Sequence, residues 1–457
     1  MRAHRLTATA LLAATLLAGA AAHADFQAAL RDYQAGHYDA AHSQFMALAE
    51  LGDCSSQFNL GAMALKGQGG PKDTASAVGW LQAAAGNGCE QLVGNRVATL
   101  SAGLTPEQSR TAASVVARYG PEALHAQGIV NPDFTCRDLA PATVLNAPAA
   151  EYPSRLSGPR QQAVVITALT IGADGHARDP EILLSVPGPE FAAAAVEAWM
   201  NSLFTPARRG GQVVATRLQA KTVFGIEGET LADARPYQVA RSAADAGDPA
   251  AQYLVGVTAT LDPSLGISYA RASQLLLGAA RDGDSAAQYW VGSQLRATSA
   301  CHGQADGTVW LRHAADGGNA SAQLLLAADA LNAAPDAAQA EQARAWLAKA
   351  AASDSYYVRK HVTALLAASP VDAVRDPPAA LEVAMKLLAG DIQSDPQMFE
   401  AVAAAYAANG EFHKAVAQQQ VAIQKAGALH WNTGAMSERL GAYRGGKPWR
   451  GDLFALR

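Results

Sequence analysis

The four cysteines are the residues whose type and spacing say most about possible chemistry. They are Cys54, Cys89, Cys136 and Cys301. No Cys-x-x-Cys pair occurs, so the spacing does not favour a thiol redox centre. Cys54 and Cys89 stand at nearly equivalent places in successive sequence repeats, and we expect a disulfide between them. The other pairings of the four residues, and four reduced thiols, remain open alternatives.

No combination of residues typical of an enzyme active site occurs in the sequence. The patterns His-Glu-x-x-His, Gly-x-Ser-x-Gly and Ser-x-x-Lys are absent. His37 and His42 are spaced awkwardly for joint binding of a metal ion from one helix face. Residues 67–72, Gly-Gln-Gly-Gly-Pro-Lys, lack the preceding strand and the Lys-Ser/Thr end of a phosphate-binding loop. We therefore expect no enzyme activity, no metal site and no cofactor.

A block in the middle of the chain has the periodicity of a small β-β-α-β module. Apolar side chains recur at a period of two in its first strand, which predicts that one face of this strand is buried. Asp174-Gly175 supplies residues that tolerate a tight hairpin, so the first two strands should pair antiparallel. Pro206 ends the helix that follows. The predicted elements are strands over residues 164–171, 177–185 and 213–226 and a helix over residues 190–203.

This block resembles the C-terminal domain of the TonB family of energy transducers. The resemblance covers residues 151–226 and depends on a combination of short matches. They are Tyr152-Pro153, Ile171-x-x-Asp174-Gly175, Ser185 before a Pro/Gly turn, an Ala-rich helix, Phe204-x-Pro206-Ala207 and Arg209-x-Gly211-x-x-Val214. Two positions depart from the family pattern: Gln162 replaces a Gly often found there, and Ser157 replaces a Gln that some members carry.

The β-β-α-β order leaves an outer strand edge without a neighbour. Unpaired N–H and C=O groups at such an edge invite an added strand, and one face of the last strand can pack on the helix while the other stays solvated. The resemblance implies the same mode, with an extended receptor peptide beside the last strand. We predict that the partner site is bordered by Tyr152, Arg155, Val213, Ala215 and Arg217. The alternative is that helices of the flanking repeats cover this edge.

The rest of the chain is built from internal repeats. The pattern Gly-Asp-x-x-Ala-Gln-Tyr-x-x-Gly at residues 247–256 returns at residues 283–292 and, more weakly, at residues 319–326 and 52–61. A period of about 34 to 36 residues, with Gly at the helix ends, predicts a solenoid of helix hairpins. The pattern resembles the Sel-like class of tetratricopeptide repeats, and residues 405–416 resemble an ordinary tetratricopeptide hairpin.

The expected fold class is mainly α, with Sel-like/tetratricopeptide helical solenoids flanking a small α+β (β-β-α-β) TonB C-terminal-like module. The predicted order is a signal peptide over residues 1–24, N-terminal repeats over 25–130, a linker over 131–150, the module over 151–226, C-terminal repeats over 227–444 and a tail over 445–457.

The N-terminus has the order of a secretory signal. Basic residues precede an Ala- and Leu-rich stretch that ends in Ala22-His23-Ala24, so we expect cleavage after Ala24. No other stretch is long and apolar enough to span a membrane. Loss of Arg2 and Arg5 with this segment would take the formal net charge from −5 to −7, and this acidity argues against a nucleic-acid partner. The alternative is an uncleaved anchor in the inner membrane.

These patterns predict a periplasmic protein-protein interaction or scaffold protein whose module binds a peptide in connection with envelope transport. The partner would be a protein or an extended peptide, such as a segment of an outer-membrane receptor or of another envelope protein. The alternative is a membrane-anchored TonB-type energy transducer for outer-membrane transport. Against this alternative, the sequence has no Pro-rich span to cross the periplasm, and the module lies in mid-chain.

We predict that the mature protein begins at Asp25 and is released with the periplasmic contents, because the order of basic, apolar and Ala-x-Ala segments is that of a cleaved signal. N-terminal sequencing of the purified protein measures this directly. A chain that keeps Met1 and stays in the membrane fraction would contradict the prediction and favour the anchored transducer.

Overall fold

The computed structural model describes residues 26–130, 132, 134, 136–156, 161–225, 230–302, 307–332 and 335–454. The predicted signal peptide, its cleavage site and Ser157 lie outside these residues. In the described part, helices dominate and the strands lie between residues 139 and 224, which confirms the predicted fold class. None of the helices described there is both long and apolar enough to cross a bilayer.

The N-terminal part consists of paired helices. Cys54, at the start of one helix, forms a disulfide with Cys89, and their Cα atoms are 5.6 Å apart. This is the pair that the sequence favoured. Residues 67–72 form the turn between two helices. The helices are α1 (Phe26–Ala35), α2 (Tyr38–Glu50), α3 (Cys54–Lys66), α4 (Thr74–Ala84), α5 (Glu90–Val93), α6 (Arg96–Ser101), α7 (Pro106–Tyr119) and α8 (Pro121–Ala126), with a π-helical turn at Ala85–Cys89.

The module contains the predicted elements and several short strands besides. Its first two long strands form the expected antiparallel hairpin, with Gly175 at φ +78° in the turn. The elements are β1 (Leu139–Ala140), β2 (Thr143–Asn146), β3 (Ala163–Ile171), β4 (Ala177–Val186), α9 (Ala192–Met200), β5 (Leu203–Thr205), β6 (Ala207–Arg209), β7 (Gln212–Val214) and β8 (Thr216–Phe224).

Two of the predicted segments are wrong. Residues 131–150 are not a plain linker, because β1 pairs with β6 and β2 pairs with β5. The predicted last strand over residues 213–226 is two strands that separate at Ala215: β7 pairs with β6, whereas β8 pairs with β3. The module therefore begins before the predicted boundary, and its last segment contributes one strand to each of two sheets.

The main sheet has the strand order β4-β3-β8 and is buried on both faces. On one face, Val165 packs with Phe191, next to α9. On the other face, Val164 and Ile166 are 3% and 0% exposed and share a core with Tyr253 of the C-terminal repeats. The expectation that one face stays solvated is therefore wrong, because the repeats cover it.

The C-terminal repeats surround the module. The first of their helices pack on the sheet, and the last contact α9, where Met200 shares a core with Trp431. The tail is docked, since the Gly451 amide donates to the Ala368 carbonyl. The helices are α10 (Arg235–Asp245), α11 (Pro249–Leu261), α12 (Tyr269–Arg281), α13 (Ser285–His302), α14 (Thr308–Asp316), α15 (Ala320–Leu331), α16 (Ala337–Ala350), α17 (Tyr356–Ala368), α18 (Pro377–Leu388), α19 (Pro396–Ala408), α20 (Phe412–Ala428) and α21 (Gly434–Arg444).

A second disulfide joins the start of the module region to the C-terminal repeats. Cys136 precedes β1 and Cys301 lies near the end of α13, and their Cα atoms are 5.4 Å apart. The two residues are separated by 165 positions in the sequence. This bond closes a covalent loop that contains the whole main sheet.

The Asp and Gln of the repeated pattern form hydrogen bonds with backbone groups at the ends of neighbouring helices. The Asp284 carboxylate accepts from the Ala287 amide at 2.7 Å and so caps the N-terminus of α13. Gln288 Nε2 donates to the Ala280 carbonyl, 3.0 Å away at the end of the preceding helix. This carbonyl lies in the last turn of its helix and also accepts from the Gly283 amide of the following turn at 3.3 Å. The Gln therefore adds a second hydrogen bond, from the next repeat, to a helix end that has few partners within the helix. The same contact is made by Gln57, Gln252 and Gln323.

The last Gly of the repeated pattern allows two helices to approach closely. A Cβ atom at Gly292 would lie 2.9 Å from Leu311 Cγ, and one at Gly256 would lie 2.7 Å from Leu276 Cγ. A larger residue would force the helices of a hairpin apart. The pattern is therefore explained by helix capping and by helix packing together.

We predict that Gln288→Ala lowers the free energy of unfolding by about 0.5–1.5 kcal/mol, because it removes the buried hydrogen bond from Gln288 to the Ala280 carbonyl. The change is read from the urea midpoint. Gln420→Ala on α20 is the matched control, since this glutamine is exposed. An equal loss of stability in the two variants would contradict the role assigned to Gln288.

Candidate functional site

The structure separates the residues predicted to border the partner site. Tyr152 lies at one end of β8, with its ring centroid 6.4 Å from that of Phe224. Ala215 and Arg217 lie at the other end of this strand, and Val213 belongs to β7. The two ends of β8 are about 26 Å apart at about 3.3 Å per residue. Tyr152 therefore does not share one compact contact with the other three.

Arg155 has a partner within the chain. Its Nη1 lies 2.7 Å from Asp391 Oδ1, in the segment between α18 and α19. Both side chains are exposed, so this ion pair contributes little to stability. Arg155 thus borders a contact between the module and the C-terminal repeats.

A groove lies beside β8, between the sheet and α13. This strand lies at the end of the sheet order β4-β3-β8, and among the described residues no strand pairs with its outer side. Two adjoining cavities of about 360 and 260 Å³ form the groove. The first is lined by Thr216 and Arg217 at the start of β8, and the second continues from Arg217 to Gln219 and reaches Glu181 of β4 across the sheet face. The first half of the strand that the sequence selected thus lines a groove.

The opposite wall of the groove is one face of α13. Tyr289, Ser293 and Ala297 recur every fourth residue and line both cavities. The side chains of Ser293 and Ala297 are small, so the groove stays wide beyond the tyrosine. Toward its other end, β8 is held to the repeats by an ion pair between Lys221 and Asp262.

A buried cluster of charged side chains joins β4 to α17, and sequence reasoning missed it. Asp179 Oδ1 lies 2.8 Å from Lys360 Nζ and 2.7 Å from His361 Nε2. Lys360 Nζ also lies 2.8 Å from Asp395 Oδ2. Lys360 and Asp395 are both 0% exposed. Buried charges of this kind persist only when they are paired, so the cluster fixes the module against α17.

The same cluster reaches the groove through β8. Arg217 Nη2 pairs with Glu181 Oε2, and the Tyr289 hydroxyl donates to the same oxygen at 2.9 Å. Arg217 Nη1 is 3.7 Å from Asp179 Oδ2. The wall of the groove is therefore held in place by buried ion pairs and does not depend on solvent-exposed contacts.

Burial and neighbouring charges shift the pKa values of the clustered side chains in opposite directions. Burial alone would raise the pKa of Asp179, but the hydrogen bond from His361 and the charges of Lys360 and Arg217 outweigh it and hold this pKa far below its usual range. Burial lowers the pKa of His361 below its ordinary value, although Asp179 acts in the opposite sense. Burial would also lower the pKa of Lys360, but Asp179 and its second carboxylate partner raise it. His361 is therefore the member of the cluster that favours the neutral form.

The sequence contained one signal for this cluster. Lys360-His361 interrupts a helix that is otherwise rich in apolar residues, between Val358 and Val362. Asp179, however, is 182 positions away from His361. No spacing argument could have joined them, because the contact depends on how the repeats fold around the module.

The fold and the site define a helical repeat scaffold that surrounds a small α+β module with a groove at its sheet edge. Residues 148–226 match the family of the Gram-negative bacterial TonB protein C-terminal domain. This match confirms the resemblance for the module, and helical repeats flank it on both sides in the chain. The family match covers the module alone.

One solved structure of similar chain length is that of a protective antigen present in uropathogenic Escherichia coli strains displaying an SLR fold. It is 15% identical in sequence, the alignment covers 92% of this chain and 82% of that chain, and the TM-score is 0.34. No curated protein matches the chain.

We predict that stability falls as the pH drops from about 7.5 to about 5, because His361 has a lowered pKa in the folded state. In this window the unfolded chain binds a proton at this histidine and the folded chain does not. Urea unfolding at several pH values measures the slope.

The variant His361→Gln keeps a donor toward Asp179 and should reduce the pH slope. His413→Gln on the exposed face of α20 is the control and should leave it unchanged. A slope that is the same in both variants would show that His361 does not titrate in this way.

Proposed function

We propose that this protein is a periplasmic interaction scaffold whose module binds an extended peptide of another envelope protein by strand addition to β8. The observation that carries the proposal is that β8 is an edge strand of the described sheet and lies beside a groove formed with α13. The family match of the module supports a protein partner in the cell envelope. A segment of an outer-membrane receptor is the first partner to test, because the family serves outer-membrane transport.

Strand addition needs main-chain groups that are free to pair. β8 makes its ladder with β3 on one side only, and no described strand pairs with its other side. An added strand lies about 4.8 Å from its neighbour and gains affinity from main-chain hydrogen bonds. Peptide side chains that point toward α13 would contact Ser293 and Ala297, and these contacts would contribute to selectivity for the peptide sequence.

The repeats support this proposal by fixing the edge strand. Trp290 Nε1 donates to Gln219 Oε1 at 3.1 Å, and Lys221 pairs with Asp262. These contacts hold β8 on the face that packs against the repeats and leave its outer side without a partner strand among the described residues. A strand that is ordered before the ligand arrives costs less to bind than one that must be ordered on binding.

The periplasmic location is supported by two kinds of observation. The sequence order of the first 24 residues is that expected of a secretory signal. The two disulfides, Cys54–Cys89 and Cys136–Cys301, are typical of an oxidising compartment.

We predict that Ala297→Trp weakens peptide binding at least about tenfold, or about 1.4 kcal/mol, because an indole at this exposed position fills the groove. The probe is a set of linear peptides selected from a displayed library against the full chain, and affinity is measured by fluorescence anisotropy. Ala215→Pro should weaken binding as well, since it removes an amide where the peptide enters beside β8.

Ala417→Trp on the exposed face of α20 is the matched control and should bind the peptides normally. Bound peptide should also slow hydrogen exchange of amides in β8. A library that yields no binding peptide, or equal affinity in the two Trp variants, would contradict strand addition.

A further inference from the structure

Three arginines line one end of the groove. Arg209 of β6, Arg217 of β8 and Arg296 of α13 all face the cavity of about 360 Å³. Among the described residues that line this cavity there is no aspartate and no glutamate. Its other lining side chains are apolar, hydroxyl-bearing or aromatic, including Tyr289 and Tyr357. The charged groups presented at this end of the groove are thus all cationic.

Arg209 is poorly satisfied by the groups around it. Its Nη2 lies 3.2 Å from Cys301 Sγ and 3.6 Å from Cys136 Sγ, and disulfide sulfurs are weak acceptors. Its Nε is 3.8 Å from Asp138 Oδ2, and this buried nitrogen makes no hydrogen bond to any described residue. The planar Arg209 guanidinium, which carries five hydrogen-bond donors, therefore lies in the cavity wall with few good acceptors nearby.

The other two arginines are held firmly by carboxylates of the chain. Arg296 binds Asp329 through both terminal nitrogens, at 2.6 and 2.5 Å. Arg217 pairs with Glu181. These pairs fix the direction of each guanidinium while it still lines the cavity. An anion that enters would meet cations already in position, which lowers the cost of binding it.

We propose that this end of the groove is a carboxylate subsite, and that the peptide bound along β8 places there an Asp or Glu side chain or its own C-terminal carboxylate. Guanidinium groups recognise carboxylates through two parallel hydrogen bonds, which gives geometric selectivity as well as affinity. The inference rests on the proposed peptide-binding function and adds to it the chemistry of the ligand: an extended acidic peptide whose carboxylate lies among Arg209, Arg217 and Arg296.

The test compares matched forms of each peptide selected from the displayed library. In one form an Asp or Glu is replaced by Asn or Gln, and in another the C-terminal carboxylate is an amide. Loss of the essential carboxylate should weaken binding at least about tenfold, and the form that loses affinity identifies its source. The same comparison with Arg209→Gln should show no difference between the acidic and neutral forms.

Arg208→Gln is the matched control. This neighbouring arginine of β6 donates to the Gly211 carbonyl at 2.9 Å and does not line the cavity. It should keep the preference for the acidic peptide. If Arg209→Gln does not fold, as judged by circular dichroism, Arg209→Lys replaces it, because lysine keeps the charge and loses the planar fork. Reduced discrimination is then expected, and unchanged discrimination overturns the subsite.

The outcomes separate the two proposals. Peptides that bind the groove with equal affinity in acidic and neutral forms would overturn the carboxylate subsite and leave strand addition standing. A preference for acid that survives Arg209→Gln would also overturn it. A library that yields no peptide sensitive to Ala297→Trp would overturn strand addition, and the subsite falls with it.

Discussion

The double burial of the sheet β4-β3-β8 determines how the rest of this protein is arranged. An antiparallel sheet commonly keeps one face in water. Here Ile166 and its neighbours lie against the repeats, so the polar residues on that same face, Glu181 and Arg217, are withdrawn from water with them. Glu181 and Arg217 pair with each other, and the Tyr289 hydroxyl donates to the same Glu181 oxygen.

The buried cluster around Asp179 constrains position more than it adds stability. Pairs of buried charges lose on desolvation much of what they gain by attraction, whereas removal of one partner costs about 3–5 kcal/mol. Asp179 must therefore stay opposite Lys360, and any sliding of β4 along α17 would leave a buried charge without its partner. In the repeats, neutral hydrogen bonds have the same effect, since each Gln of the pattern donates to one particular carbonyl of the preceding helix. The buried ion pairs and these hydrogen bonds both fix the register between elements that apolar packing alone would allow to slide.

Much of the fold could be predicted because its signals are local. The Gly-Asp-x-x-Ala-Gln pattern reports contacts within one repeat, and the alternation in β3 with the turn at Gly175 reports one hairpin. The missed features are short or distant: β1 and β2 have two and four residues and show no usable alternation. Of the site, the sequence found Ala215 and Arg217 from the edge of the last strand. It could not find Arg296, because this residue reaches the groove only through the packing of α13 beside the module.

The disulfide between Cys136 and Cys301 has a mechanical consequence. Tension applied to the two ends of the chain would pass from Cys136 directly to Cys301, because the covalent bond is the shortest path between them. The 164 residues enclosed by this bond, which include the whole main sheet, would carry none of the load until the bond is reduced. The module is thus shielded from stretching along its own backbone. Force applied through a peptide paired with β8 would instead act across the sheet and on the repeats that pack against the sheet.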